Sequence, residues 1–322
     1  MAAPQADLVL EGGGVKGIGL VGAVDALGAA GYSFPRVAGS SAGAIVACLV
    51  AALQAAGEPV SRLADIVRSV DYHRFRDASR LGRVPLAGGA LALLAHDGRY
   101  QGRYLERFLT GALGELGVRT FGDLRRLDPE DSPQQAFSLV VTVSDLSRRR
   151  LVRLPWDLPS YGLDPDEMPV ARAVRASAAI PFYFEPVRTA GATWVDGGLL
   201  SVFPIGLFDR ADTRAPRWPT FGVRLMSRPQ EPPVTHPVRG PVSLGIAALD
   251  TLLTDQDDAY ASEPCTVRRT VFVPTEGVSA VDFDLSREQS DGLYDAGRQA
   301  GDGFLTGWDF PAYVRDCRGG PP

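Results

Sequence analysis

Short apolar segments that end in glycine-rich turns alternate with longer small-residue segments at the start of the chain. Residues 7–11 predict a buried strand, and residues 17–30, rich in alanine, glycine, leucine and valine, predict a helix packed closely against a sheet. The same order repeats with a second short strand at 36–39 and an apolar helix at 42–56. This alternation predicts parallel crossover connections, with helices on both faces of one sheet.

The remaining pattern extends this α/β interpretation to the end of the chain. Helices are predicted at 60–70, 100–116, 170–177, 242–258 and 287–305, and strands at 136–144, 193–195 and 269–273. Residues 148–153 are expected to form a hairpin with the strand at 136–144, and residues 180–187, with two prolines, are expected to be irregular. We expect a single domain over residues 1–322, with the core motifs in 7–210 and with 211–322 completing the last layer.

Composition and charge narrow the class of protein. With 45% hydrophobic and 22% charged residues, the chain of 322 residues has the composition of a soluble globular protein. Its net charge of −5 gives no electrostatic footprint for nucleic acid. Cys48, Cys265 and Cys317 have no metal-like spacing and suggest no disulfide framework. We see neither a signal peptide nor an apolar segment of the roughly 20 residues that span a bilayer, so we expect a reduced, cytoplasmic protein.

Two further segments have alternative interpretations. The apolar, glycine-containing run at 84–95 is either a core-facing loop and helix turn or a mobile cover over a lipid site, in contact with a membrane surface. The arginine-rich stretch at 148–153 is either a solvated hairpin end or a contact for anionic lipid head groups. The pattern of residues leaves both pairs of alternatives open.

The first glycine-rich turn, at 12–17, has the G-x-G-x-x-G spacing of dinucleotide-binding loops. Such loops also need an acidic residue after the next strand, where this chain has Gly39 and Ser40. A phosphate-binding P-loop needs serine or threonine after its lysine, but Gly17 follows Lys16. The remaining interpretation is an oxyanion hole, because successive glycine amides at a helix N-terminus form a positive concavity. Lys16 either supports this loop or is an exposed lysine.

The second glycine-rich turn carries a G-x-S-x-G signature at 39–43. It follows a strand and precedes an apolar helix, which is the context of a nucleophile elbow. The central serine lies between small residues, and its hydroxyl is expected at a helix N-terminus, where negative charge is favoured. Ser41 is therefore the candidate nucleophile, and Ser40 is its neighbour.

A serine nucleophile needs a base. The chain has three histidines, which are His73, His96 and His236. None of them follows a strand end or lies in a tight turn, as a histidine base would in an α/β-hydrolase. Asp196 does, but a carboxylate with an ordinary pKa of about 3.9 is a weak base for a hydroxyl. It can serve if it is held near the hydroxyl and the developing charge is stabilised elsewhere; the alternative is that Asp196 only forms an Asp-Gly-Gly turn.

Taken together, the turns at 12–17, 39–43 and 196–198 resemble the three motifs of the patatin-like phospholipase family, in the same order. The block at 175–181 is similar to one that precedes the aspartate in bacterial members. The resemblance covers roughly the first 210 residues clearly and the remainder more loosely. It implies a three-layer α/β/α sandwich with a mostly parallel central sheet, and a Ser–Asp dyad that hydrolyses acyl esters of lipids.

The resemblance also implies a role for each motif residue. Ser41 matches the nucleophile and Asp196 the general base, and the oxyanion-hole glycines match Gly12, Gly13 and Gly14. The residues that would support these motifs are Lys16, Gly17, Gly39, Gly43, Gly197 and Gly198. No residue of the three motifs departs from the family pattern, and neither a metal nor an organic cofactor is implied.

The expected function is cleavage of carboxylic esters of phospholipids or lysophospholipids through an acyl-enzyme. The same dyad would serve a thioesterase, a transacylase or a neutral-lipid esterase, and a non-catalytic lipid-binding protein would use the pocket without turnover. The expected partners are a lipid substrate and a transiently contacted membrane surface, with no nucleic acid and no transmembrane segment. The expected location is the cytoplasm, with peripheral contact at the membrane.

Overall fold

A mostly parallel sheet runs through the part of the chain that the computed structural model describes. That part comprises residues 3–71, 98–126, 136–210, 215–226, 263–275 and 284–318, and the single positions 74, 128, 238, 247 and 278. The strands are β1 (Asp7–Leu10), β2 (Val37–Gly39), β3 (Gly98–Tyr100), β4 (Leu139–Asp145), β5 (Arg150–Leu154), β6 (Phe182–Phe184), β7 (Val187–Thr189), β8 (Ala192–Asp196), β9 (Thr220–Met226) and β10 (Thr270–Pro274). The main sheet has the order β10-β9-β1-β2-β4-β8-β7, with β5 also paired to β4.

Parallel pairing joins the strands around β1. β1 lies between β2 and β9, β2 pairs with β4, and β9 pairs with β10, all in parallel. β5, β7 and β8 add antiparallel pairs at the other end of the sheet. Parallel neighbours need long crossover connections, which helices commonly provide. The helices are α1 (Ile18–Ala29), α2 (Ala42–Ala55), α3 (Arg62–Arg68), α4 (Arg103–Glu115), α5 (Val170–Ser177), α6 (Pro264–Val267), α7 (Arg287–Gly307) and α8 (Phe310–Cys317).

Most of the predicted elements are confirmed within a few residues, including the first two strand–helix units and the hairpin of β4 with β5. One local prediction is wrong, because residues 182–184, expected to be irregular, form β6 and pair with β3. The run at 84–95 and, apart from position 247, the predicted helix at 242–258 fall outside the described residues. The fold class is the predicted one, a mostly parallel central sheet with flanking helices.

The two faces of the sheet bury different cores. Successive side chains of a strand point to opposite faces, and in β1 Leu8 and Leu10 pack with α1 and α2 while Val9 packs with Phe203 and Ile205. Helices α1, α2, α5 and α7 therefore cover the first face. On the second face, the cover within the described residues is the apolar segment at 202–208.

α1 and α7 approach each other closely because glycines lie in their contact. A Cβ atom added at Gly22 would lie 2.0 Å from the Tyr294 carbonyl oxygen, and one added at Gly297 would lie 2.0 Å from the Gly19 carbonyl oxygen. The carboxylate of Asp25 in α1 also accepts a hydrogen bond of 2.6 Å from the Tyr294 hydroxyl. The C-terminal helix α7 is thus fixed against the N-terminal helix α1.

The C-terminal part of the chain completes the same sheet, since β9 and β10 extend it next to β1. We therefore propose that residues 1–322 form one domain, in which 211–322 complete the sheet and its helical cover. The expectation of unpaired cysteines is wrong. Cys265 and Cys317 form a disulfide between α6 and α8, with Cα atoms 5.6 Å apart, and Cys48 is free and buried. Because disulfides are rare in the cytoplasm, this bond removes one support for a cytoplasmic location.

Two glycines of α7 should respond oppositely to alanine. Gly297→Ala should lower the free energy of unfolding by about 1–3 kcal/mol, because the added methyl group has no room against α1. Gly303→Ala should raise it by about 0.5–1 kcal/mol, because alanine is the better helix former and no atom lies within 4 Å of its added Cβ. Urea unfolding followed by circular dichroism measures both. Equal changes in the free energy of unfolding of the two variants would contradict a close contact of α1 and α7 through glycine.

Candidate active site

The strands β2 and β8 both pair with one edge of β4, and their ends meet there. On the other edge β5 pairs with β4 from Val141 to Asp145. On the shared edge β2 pairs as far as Val141 and β8 pairs from Val143. The carboxyl ends of β2 and β8 therefore face each other across about 7 Å, the length of two strand residues. Ser41 follows β2 by two residues and Asp196 ends β8, so two residues 155 positions apart meet at this gap.

Ser41 lies on a sharp turn at the N-terminus of α2, with φ 52° and ψ −122°. Such a conformation costs a residue with a side chain about 1–3 kcal/mol. The flanking glycines allow the turn, because a Cβ at Gly39 would lie 2.3 Å from the Gly43 backbone, and a Cβ at Gly43 would lie 2.3 Å from the Leu10 carbonyl oxygen. The turn has the shape expected of a nucleophile elbow, and the dipole of the 14-residue helix α2 favours negative charge at its tip.

Ser41 and Asp196 are joined directly. The Ser41 hydroxyl donates a hydrogen bond to the Asp196 carboxylate, with 2.6 Å between Oγ and Oδ2. The other carboxylate oxygen, Oδ1, accepts from the Gly198 amide at 2.8 Å. Asp196 is only 1% exposed and Ser41 6%. The carboxylate is therefore held with one oxygen aimed at the serine hydroxyl.

The environment of Asp196 makes it a stronger base than an ordinary aspartate. Burial raises the pKa of Asp196 from 3.8 to about 7, because the ionised carboxylate loses its hydration. The hydrogen bonds from Ser41 and Gly198 oppose this rise by favouring the charged form. A group with a pKa close to neutral combines a useful ionised fraction with a strong tendency to accept a proton. The raised pKa therefore removes much of the objection that an aspartate is too weak a base for a hydroxyl.

Thr142 of β4 fills the gap between the two strand ends. A Cβ at Gly197 would lie 2.3 Å from the Thr142 carbonyl oxygen, so the first glycine after Asp196 is required by close contact with β4. The Thr142 hydroxyl also hydrogen-bonds the hydroxyl of Ser40, which donates to the Ser201 carbonyl at 2.7 Å. Ser40 is fully buried in these contacts, and only Ser41 of the two serines hydrogen-bonds Asp196.

The glycine loop at 12–14 lies against the Ser41 turn, because a Cβ at Gly12 would lie 3.2 Å from the Ser41 Cβ. The Gly12 amide donates to the Val202 carbonyl at 2.9 Å and is therefore already occupied. The Gly13 and Gly14 amides have no acceptor within the described part of the chain. Gly14 has φ 57°, a conformation that favours glycine. Two of the three predicted oxyanion-hole amides are thus available to a ligand.

Lys16 and Gly17 support this loop. Lys16 is half-buried; burial lowers its pKa, and the nearby Glu11 carboxylate opposes that shift. Glu11 is itself held by Arg224 of β9, with 3.0 Å between Nε and Oε1. These contacts favour the interpretation of Lys16 as a loop support over that of an exposed lysine. A Cβ at Gly17 would lie 3.0 Å from the Cβ of Ala42, so Gly17 lets the start of α1 approach the start of α2.

Two groups that hold the site were not among the predicted site residues. The Ser41 amide donates to the Ser177 hydroxyl oxygen at 2.9 Å, and the Asp196 amide donates to the Ala179 carbonyl at 2.9 Å. The block at 175–181 was the only signal in the sequence that could have indicated them. A hydroxyl that accepts a hydrogen bond from a distant backbone amide produces no spacing or periodicity.

A narrow apolar cavity of about 50 Å³ lies beside the site. Its lining includes Gly14 of the glycine loop and Ala42, the residue after Ser41, together with Ile45 and Leu49 of α2. From Ala42 to Leu49 the helix rises about 10 Å. The other lining residues are Val15, Gly17, Ile18, Val46, Val67, Val70, Leu105 and Phe108. None of the residues that line the cavity has a polar side chain.

In the arginine-rich stretch at 148–153, Arg148 contacts residues of the same chain. The Arg148 guanidinium lies 3.9 Å from the ring centroid of Tyr161 and donates to the Ser160 carbonyl, which favours a hairpin end over a free lipid contact. All three histidines lie outside the described residues. Within the described residues, no cluster of three metal-ligating side chains is present, and no helix combines the length and apolarity needed to cross a membrane.

Comparison with known proteins identifies relatives over most of the chain. A family model described as patatin-like phospholipase matches residues 8–209. The Bacillus subtilis (strain 168) protein YqhO is 37% identical over 309 residues, which are 94% of this chain and 99% of YqhO. The Acanthamoeba polyphaga mimivirus protein R571 is 23% identical over 90% of each chain. The crystal structure of VipD from Legionella pneumophila shares the fold, with a TM-score of 0.54 at 18% identity over 94% of this chain and 67% of VipD.

Asp196→Asn should stabilise the protein at neutral pH. The pKa of Asp196 is about 7 in the folded state, and its ordinary value is 3.8. The folded protein therefore binds this proton more tightly than the unfolded chain does, and the free energy of unfolding falls as the pH rises from about 4 to about 7. The neutral amide has no such loss. The variant should therefore gain in melting temperature over the wild type from about pH 4 to about pH 7 and keep that gain above it. Scanning fluorimetry across pH measures this, with the exposed Asp302→Asn as control, and a pH-independent difference would contradict the raised pKa.

Proposed function

Because the chain belongs to the patatin-like phospholipase family, we propose that it hydrolyses carboxylic esters of lipids with Ser41 as nucleophile and Asp196 as general base. Membership of this family makes the protein an ester-bond hydrolase that acts on lipids. The observation that carries the assignment of the two residues is the hydrogen bond of 2.6 Å from the Ser41 hydroxyl to the buried Asp196 carboxylate.

Acylation begins when Ser41 Oγ attacks the ester carbonyl carbon. The Ser41 proton passes to Asp196 Oδ2 as the new carbon–oxygen bond forms, so no free alkoxide has to exist. The amide of Gly198 holds the other carboxylate oxygen, which keeps Oδ2 in place for the transfer. When the tetrahedral intermediate collapses, the protonated Asp196 returns its proton to the departing alcohol oxygen.

The negative charge on the former carbonyl oxygen is stabilised by the Gly13 and Gly14 amides and by the positive end of α2. Amide groups fixed before the reaction cost no reorganisation when the charge develops. Gly12 has a different role in this proposal, because its amide already donates to Val202. It allows the loop to lie against the Ser41 turn, where a side chain would crowd the serine.

Deacylation repeats the same proton movements with water. Asp196, ionised again after the alcohol has left, takes a proton from a water molecule that attacks the acyl carbon of the acyl-enzyme. The second tetrahedral intermediate collapses with return of the proton to Ser41 Oγ, and the fatty acid leaves. One carboxylate with a pKa of about 7 can serve both half-reactions, because it changes protonation state easily near neutral pH.

The apolar cavity beside Ser41 supports a lipid rather than a small polar ester as substrate. Its lining includes Gly14 of the glycine loop, Ala42, which follows Ser41, and Leu49 of α2. We assign it to the acyl chain of the substrate, whose transfer from water into an apolar cavity contributes about 0.8 kcal/mol per methylene. Phospholipids and lysophospholipids are the proposed substrates, with thioesters, neutral lipids and acyl acceptors other than water as the alternatives.

The cellular setting of the proposal is a lipid surface that the protein meets from the aqueous phase. A cytoplasmic enzyme with peripheral membrane contact remains the proposed arrangement. This arrangement needs no membrane-spanning helix, and the described residues contain none. The Cys265–Cys317 disulfide is the observation that argues for a more oxidising compartment.

Ser41→Ala should lower kcat for phospholipid hydrolysis by roughly 10³-fold or more, because the acyl-enzyme can no longer form. Asp196→Asn should have a similar effect with its fold intact. Wild-type activity should rise with pH through about 7, as Asp196 ionises. Fatty-acid release from phospholipid, lysophospholipid, triacylglycerol and acyl-thioester substrates measures the activity and separates the alternative substrate classes.

Two controls accompany this panel. A triple variant without His73, His96 and His236 should keep its activity, and loss of activity in a folded triple variant would favour a histidine base. A fluorophosphonate probe should label the wild type and not Ser41→Ala. An active Ser41→Ala variant would overturn the assignment, and a wild type that binds lipid without labelling or turnover would favour a lipid-binding protein.

Ile45→Phe should shift the preference towards shorter acyl chains, because the larger side chain fills the cavity one turn below Ala42. The ratio of kcat/KM for p-nitrophenyl octanoate to that for the butyrate should fall roughly 10-fold or more. Ile45→Ala should change the ratio in the opposite direction. Leu116→Phe, a similar change outside the cavity lining, is the matched control, and an unchanged ratio in both Ile45 variants would remove the cavity from the proposal.

A further inference from the structure

The conformation of Ser41 must be imposed by its surroundings. A serine with φ 52° and ψ −122° lies in a region that residues with side chains avoid, and it persists only where other contacts determine it. The Ser41 amide donates to the Ser177 hydroxyl oxygen at 2.9 Å. The acceptor is thus a side chain 136 residues further along the chain.

Ser177 is well placed to act as a fixed support. It is the last residue of α5 and has no exposed surface. The rest of α5 is anchored in the core through Val170 and Val174, which are also fully buried. The position of the Ser177 hydroxyl is therefore determined by the packing of a whole helix, and not by the flexible turn that it holds.

The same short segment also holds the second residue of the dyad. Two residues after Ser177, the carbonyl of Ala179 accepts a hydrogen bond of 2.9 Å from the Asp196 amide. Ala179 is 1% exposed. The backbone amides of Ser41 and Asp196 are therefore both bound to residues 177–179, so a displacement of either residue relative to this segment breaks a buried hydrogen bond.

We propose that Ser177 is a positioning residue for catalysis, whose hydroxyl holds the Ser41 turn in the conformation that aims Oγ at Asp196. Ser177 touches neither substrate nor reacting atoms in this role. Together with the Ala179 carbonyl, it keeps the 2.6 Å contact between nucleophile and base. The inference rests on the proposed function, because it needs Ser41 to be the nucleophile.

Ser177→Ala removes the acceptor of the Ser41 amide and leaves that amide buried. We expect kcat per active site to fall roughly 10-fold to 100-fold, the size of effect that follows when a reacting group is displaced by about 1 Å. KM should stay within about twofold, because no substrate contact is lost. The pH at which the rate reaches half its maximum should rise, because a displaced Ser41 hydroxyl no longer favours the ionised Asp196 carboxylate through its hydrogen bond.

The experiment uses a soluble p-nitrophenyl ester, with active sites counted by titration with a fluorophosphonate so that misfolded protein does not enter kcat. Ser138→Ala is the matched control, because the Ser138 hydroxyl donates to the Leu124 carbonyl at 3.0 Å, away from the site. It should retain wild-type kcat. Ser177→Cys, which keeps a weak acceptor, should lie between Ser177→Ala and the wild type, and it serves as the test if the alanine variant does not fold.

If Ser177→Ala has the same kcat and the same labelling rate per titrated site as the wild type, the inference is overturned and the proposed function still stands. Equal losses of kcat in Ser177→Ala and Ser138→Ala would have the same consequence. A wild-type protein that neither reacts with the fluorophosphonate nor hydrolyses the ester would instead overturn the proposed function. A kcat for Ser177→Cys between those of Ser177→Ala and the wild type, with unchanged KM, would support the positioning role. If Ser177 only stabilised the fold, kcat per active site would not depend on how well the side chain at 177 accepts a hydrogen bond.

Discussion

The shared edge of β4 is the constraint on which the candidate site depends. Because β5 occupies the other edge, β2 and β8 must pair with successive parts of the same edge and end against each other. Backbone pairing therefore places Ser41 and Asp196 at the same gap. The glycines beside them follow from the same constraint, since Gly39, Gly43 and Gly197 each lie where a Cβ would collide with neighbouring backbone.

This arrangement buries a carboxylate at a cost to stability. Glu11 faces the guanidinium of Arg224, and Asp7 that of Arg36, whereas the hydrogen bonds to Asp196 come from a hydroxyl and an amide. An arginine beside Asp196 would favour its ionised form and lower its pKa, which would weaken it as a base. The site therefore retains a carboxylate that disfavours folding at neutral pH and would favour proton transfer in its proposed role as base, a conflict common at functional sites.

Much of the fold follows from local pattern. The strand–turn–helix units at the start of the chain, the hairpin and α5 could be predicted because each depends on contacts between near neighbours in sequence and on one buried face. The contact of α7 with α1 could not be predicted in this way, since Gly22 and Gly297 are small residues whose importance appears only when two distant helices cross. The Cys265–Cys317 disulfide was missed for the same reason, since its cysteines are 52 residues apart.

The sequence by itself determined which chemical groups the site contains, because the serine, the aspartate and the glycines occur in motifs that tight turns require. Tertiary structure decided how these groups act. It decided which glycine amides are available, because Val202 reaches the Gly12 amide from a distant segment. It also decided the pKa of the proposed base and the hydrogen bond of the proposed nucleophile, because the burial of Asp196 and the hydrogen bond from Ser41 to Ser177 exist only after residues more than a hundred positions apart have packed together.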